Sequence, residues 1–130
     1  MTPQDALLST KVALIVDPEI DPVLFKEIAL VMPVWIAGTP ANLALAKIGW
    51  ATLDSNITTF DVNLPMKPPL EVAVGFRDML GLHHNKMTRL YVYGLPENGE
   101  HDPRWSEDGL TFIGLERGCA VFGCEEYTYE

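Results

Sequence analysis

The chain is short of positive charge and of cysteine, and it has no long apolar run. Nine Lys and Arg stand against eighteen Asp and Glu, a formal net charge of −9. Nucleic-acid binding needs Lys and Arg to displace phosphate counterions, so this balance excludes it as an expected function. Cys119 and Cys124 are the only cysteines, spaced C-x4-C rather than the C-x2-C of a zinc knuckle. The sequence therefore predicts two reduced thiols and no metal. No apolar stretch reaches the ~18 residues of a membrane span. The opening Met1-Thr2-Pro3-Gln4-Asp5 has no basic region before an apolar one, which argues against a secretory signal and for a cytoplasmic address. A glycine-rich loop with a GK[ST] lysine is missing, and so is any oriented nucleophile, base and acid. No catalytic residue and no cofactor is assigned. The sequence leaves the oligomeric state open.

The remaining material suits a globular protein. With 130 residues, 48% hydrophobic and 21% charged, the sequence predicts a single α/β domain over 1–130 with a real core. No repeat of 20–50 residues appears, which excludes a solenoid.

The most legible stretch is Pro33 to Val62. Val34-Trp35-Ile36-Ala37 is uncharged and β-prone, as a strand covered on both faces should be. Gly38 ends it. Thr39 can cap a helix whose first position is Pro40, where a missing N–H costs nothing. The helix is expected to run on through Ala51, with Leu43, Ala44, Lys47, Ile48 and Ala51 on one side and the Lys47 stem lying on apolar surface. Asp54-Ser55-Asn56 is turn chemistry, and Ile57–Phe60 is a second strand. Two strands joined through a packed helix must be parallel.

The same logic extends both ways. After a leader over 1–10, Val12–Val16 reads as a buried strand stopped by Asp17-Pro18. Asp21-Pro22 repeats the cap-then-proline signal for a helix to Val31, with Leu24, Phe25, Ile28 and Ala29 inward. After a proline-rich connector over 64–69, Leu70–Leu82 is amphipathic, with Val72, Ala73, Phe76, Met79 and Leu80 on one face, Glu71, Arg77 and Asp78 elsewhere, and Gly81 as its stop; Arg89–Gly94 is a fourth strand. A long acidic loop over 97–109 follows. Leu110–Leu115 and Cys119–Cys124 then predict a hairpin over 110–124, turning through three residues that end in Gly118. The expected fold is α/β: a mainly parallel four-stranded sheet, β-α-β-α-β-α-β, with helices on its faces and a C-terminal antiparallel hairpin.

Two places could carry function. In open parallel sheets ligands bind beyond the C-terminal strand ends, where Asp17, Thr39 and Asp61 fall. Asp17 and Asp61 could share a magnesium ion if their strands were neighbours, with His83 or His84 as a proton carrier. Each also has a plain structural reading, as turn residue, helix cap and strand terminator. The second place is the C-terminal quarter. Residues 97–130 hold nine acids and two bases, against nine acids and seven bases in residues 1–96. Trp35 and Trp50 are explained by the core, whereas Trp105 sits among these acids. Its indole either folds back over the sheet or anchors a partner, as tryptophan does at hot spots. With Glu107, Asp108, Glu125, Glu126 and Tyr127 it would form an acidic, aromatic surface for a basic protein partner. The leading expectation is a non-catalytic protein-binding module of this kind. Small acidic antitoxin, immunity and adaptor proteins work this way, an analogy of class without a shared motif. The alternative is an enzyme or small-ligand domain using the strand-end crevice.

Overall fold

The computed structural model describes residues 11–63, 67–80, 88–107 and 109–124, the side chains of Leu80 and Cys124 excepted. The strands are β1 (Lys11–Ile15), β2 (Val34–Ala37), β3 (Thr58–Phe60), β4 (Arg89–Tyr93), β5 (Leu110–Glu116) and β6 (Cys119–Cys124). The helices are α1 (Pro22–Val31), α2 (Pro40–Leu45), α3 (Pro69–Leu80) and α4 (Pro103–Glu107), with 3-10 turns at Gly49–Leu53 and Gly99–His101.

One mixed sheet of six strands has the order β3-β2-β1-β4-β6-β5. β1 pairs in parallel with both β2 and β4, and β2 with β3. β6 joins β4 antiparallel and carries β5 outside it. The four expected parallel strands are therefore two-thirds of a larger mixed sheet, which the hairpin extends rather than caps.

Alternation within the strands divides the core into two layers. Val12, Leu14 and Val16 face one way, with Trp35, Phe76, Trp105 and Phe122. Ala13 and Ile15 face the other, with Phe25, Ile28, Leu43 and Ile48. α1 and α2 thus cover one face of the sheet, and α3 and α4 the other. Asp21 opens α1 by accepting from the Leu24 N–H at 3.3 Å, and Pro22 occupies the first turn, as the sequence predicts.

Four expectations need correction. The helix from Pro40 stops at Leu45 instead of reaching Ala51. Ala46 is extended, at φ −78° and ψ 164°, and the Gly49 N–H reaches back to the Ala46 carbonyl at 2.9 Å. A Cβ on Gly49 would lie 2.7 Å from the Ala44 carbonyl oxygen, so this tight return needs glycine. The detour buries Ile48 and Ala51 completely. It also leaves Lys47 exposed and Trp50 42% exposed rather than in the core.

The hairpin turn holds two residues, not three. Glu116 pairs with Cys119 across it, and Arg117 and Gly118 both have positive φ, 52° and 76°. That is the pattern whose twist matches the flanking strands.

The third correction concerns the acidic loop. It is structured, with a 3-10 turn and α4 within it. Asp102 and Pro103 open α4 by the same device as Asp21 and Pro22. The Arg104 N–H donates to the Asp102 carboxylate at 2.9 Å.

Last, Arg77, expected on the polar side of its helix, is 3% exposed. The expected stop at Gly81 lies outside the described residues.

Candidate functional site

The strand-end crevice has its point of reversal between β1 and β4, where the chain leaves one side of β1 and resumes on the other. Asp17 lies there. Its Oδ1 accepts from the Glu19 N–H at 3.0 Å, which makes it a turn residue. The neighbouring strand end is Gly94, at φ +101°, and a Cβ on it would meet the Asp17 Cβ at 2.6 Å. Only glycine fits this close approach. Thr39, after β2, accepts from the Asn42 N–H at 3.3 Å and is the helix cap.

Asp61 follows β3 and is exposed. β3 and β1 lie on opposite sides of β2, so Asp17 and Asp61 stand two strand spacings apart, roughly 9–10 Å. The neighbouring-strand condition for a shared magnesium ion is not met. His83 and His84 lie outside the described residues. Among the described residues no group of three or more His, Cys, Asp or Glu could hold a metal ion.

The α3/α4 layer brings together part of the acidic set. Trp105 is 2% exposed, so its indole covers the sheet and does not face solvent. Its Nε1–H donates to the Gly99 carbonyl at 3.1 Å. Its ring stacks on Phe122 with centroids 4.0 Å apart and planes 19° from parallel. The Arg77 guanidinium lies 5.6 Å from the same ring, within cation–π range.

Arg77 donates from Nη1 to the Arg104 carbonyl at 2.7 Å, and from Nε and Nη2 to Asp78 Oδ1 at 3.0 and 2.8 Å. Arg104 donates from Nε to Asp102 Oδ1 at 3.0 Å. Arg104's side-chain and backbone hydrogen bonds hold the Asp102 carboxyl below the usual carboxylate range. Both arginines are thus committed within the layer. Glu71 and Glu107 stand exposed near Arg104, and Glu97 is exposed as well. Glu100 is within 3.5 Å of His101. Asp108, Glu125, Glu126 and Tyr127 lie outside the described residues.

A cluster that the sequence did not single out lies on the opposite face, toward β5. The Tyr91 hydroxyl donates to Glu116. Burial, then the Glu116 hydrogen bond and charge, push the Tyr91 phenol up to about 12. Burial, with Glu116 beside it, pushes the free thiol of Cys119 up to about 11. At neutral pH both keep their protons, so neither is poised as a nucleophile. The alternation of RLYVY could have placed Tyr91 inward. Its partner Glu116 depends on a register that only folding sets.

A cavity of about 550 Å³ lies at the C-terminal end of α1, between Leu30, Pro33, Asn56 and Ile57. A second, about 300 Å³, adjoins it and is walled by Phe25, Lys26 and Trp50. The two share Ala29, Leu30, Asp54 and Ile57. Nothing in the sequence points to this groove, because Trp50 reads as core until the helix breaks.

Among the described residues no helix is long and apolar enough to cross a membrane. Comparison with protein-family models, with curated proteins and with solved structures finds no match for this chain, so its own residues carry the functional reading.

Proposed function

We propose that this protein is a non-catalytic binding module whose acidic α3/α4 surface meets a basic protein partner. One observation carries the reading: the buried Arg77 spends its charge inside the layer, on Asp78 and the Arg104 carbonyl, and Arg104 at the surface is paired with Asp102. The carboxylates of Glu71, Glu100 and Glu107 are left to set the outward field. Such a field raises the association rate of a basic partner and is weakened by salt. Trp105 supports the surface from beneath and is no anchor for the partner.

Carbodiimide coupling tests this, because it joins a carboxylate to a lysine amine only in contact. Coupling the native chain in an extract of its host is expected to link partner lysines to Glu71, Glu100 or Glu107. The yield should fall at high salt and in a variant with all three changed to Gln. Links confined to other carboxylates, or links that salt leaves intact, would overturn the reading.

A second reading, a small-ligand or magnesium-dependent domain, draws on the reversal of strand order beside Asp17. It predicts thermal stabilisation by magnesium or a nucleotide that Asp17→Asn removes. No shift with either ligand would end it.

A further inference from the structure

We infer that the outer face of the α1/α2 layer is a two-fold interface with a second copy of this chain. Nine large hydrophobic side chains are exposed among the described residues, and six of them fall between Val23 and Leu53. Leu30 and Leu53 are 85% and 88% exposed, and Trp50 stands between α1 and solvent. Trp50 packs edge-on against Phe25, with centroids 5.7 Å apart, and the Lys26 ammonium lies 5.3 Å from its ring centroid. Leu30 and Trp50 both wall the groove described above, so the exposed apolar surface is continuous and concave there. Surface of this kind on one face marks an interaction site more often than scattered single residues do.

Charge selects the occupant. Residues 22–57 contain Lys26, Lys47, Glu27 and Asp54 and no other charged side chain, so their net charge is zero. All nine excess negative charges of the chain lie outside them. Two copies that met elsewhere would bring like charges together, whereas here they would not. A basic partner would meet Lys26 and Lys47 on this face and gain nothing from the acidic surface across the sheet.

A two-fold interface must also be self-complementary. Lys26 and Asp54 line the same cavity with opposite signs. A two-fold axis through the groove sets each Lys26 toward the second copy's Asp54, and each Leu30 and Leu53 into the other's groove. Among the described residues no carboxylate pairs with Lys26. Asp54 commits Oδ1 to the Asn56 N–H at 2.9 Å, which leaves Oδ2 for a partner. The α3/α4 surface lies on the opposite side of the sheet, so both faces can be occupied at once, and each proposal stands or falls without the other.

Sedimentation velocity on the full chain across a wide concentration range tests the inference. The wild type should show a concentration-dependent dimer. Leu30→Glu and Leu53→Glu should each weaken it by about tenfold or more, because each substitution enters the interface twice. Both sites are so exposed that circular dichroism and the thermal midpoint of the monomer should not change. Lys26→Glu alone should weaken the dimer, and Lys26→Glu combined with Asp54→Lys should restore it. The inference is overturned by a wild type that stays monomeric throughout. A dimer that survives Leu30→Glu also overturns it, as does a charge-exchanged pair that remains as weak as the single change.

Discussion

The two helical layers of this protein carry one tryptophan each outside the strands, and the two indoles have opposite fates. Trp105 comes from a stretch crowded with acids and is fully covered. Trp50 comes from an apolar stretch and stands 42% exposed. Neighbouring charge is thus a poor guide to burial. What decides is the local break in the chain. Asp102 and Pro103 start a short helix that drops Trp105 onto Phe122, while the turn at Ala46 to Gly49 pulls Ile48 inward and leaves Trp50 outside. The layer with a buried tryptophan is electrostatically busy inside and acidic outside. The other packs Ile28, Leu43 and Ile48 with Phe25 and Tyr91 inside, and the segment that covers it is neutral outside.

The contrast breaks most sharply at Trp105 itself. Trp105→Ala should cost about 3–5 kcal/mol in urea unfolding, the range for emptying a buried aromatic site. Arg77→Ala should cost about 2 kcal/mol, because it leaves the Arg104 carbonyl without its donor and removes the guanidinium from the Trp105 ring. Trp50→Ala should cost about 1 kcal/mol, mostly its edge-on contact with Phe25. If Trp50→Ala proves as costly as Trp105→Ala in the same measurement, the contrast fails.

Two pH effects sharpen the comparison further. The folded-state pKa of Cys119 is raised from about 9 to about 11, so its contribution is full below pH 9 and is lost as pH rises toward 11. In a Cys124→Ser background, Cys119 should resist a thiol reagent at pH 8 until the protein is unfolded, read as absorbance of the released dye. The pKa of Asp102 is depressed, so its contribution is present above the unfolded carboxylate range and is lost as pH falls through the lowered value. Asp102→Asn should flatten the acid limb of the thermal midpoint slightly. This is the smallest effect, since the pair with Arg104 is open to solvent.

Legibility followed the range of the interactions concerned. The start of α1 is readable to the residue, because Asp21, Pro22 and the Phe25/Ile28 spacing all act within one or two turns. The Asp102-Pro103 signal was equally local and equally present. It was hidden by the surrounding acids, which read as a solvated loop. Arg77 looked like an outward residue because its partners, the Arg104 carbonyl and the Trp105 ring, lie 27 and 28 positions along the chain. Of the two candidate sites, the sequence could name Asp17, Thr39 and Asp61 as strand-end residues. It could not say that β2 separates the two aspartates, since strand order is a property of the whole sheet.

By itself, then, the sequence determined the six extended segments and the starts of α1 and α2, and it set the surplus of negative charge. Those follow from dihedral preference, capping and patterning over a few residues. Only the tertiary structure decided that Trp105 goes in and Trp50 stays out, that Arg77 is consumed internally, and that the neutral and acidic surfaces lie on opposite sides of the sheet. Those outcomes depend on contacts between residues far apart in the chain, whose geometry exists only once the strands are in order.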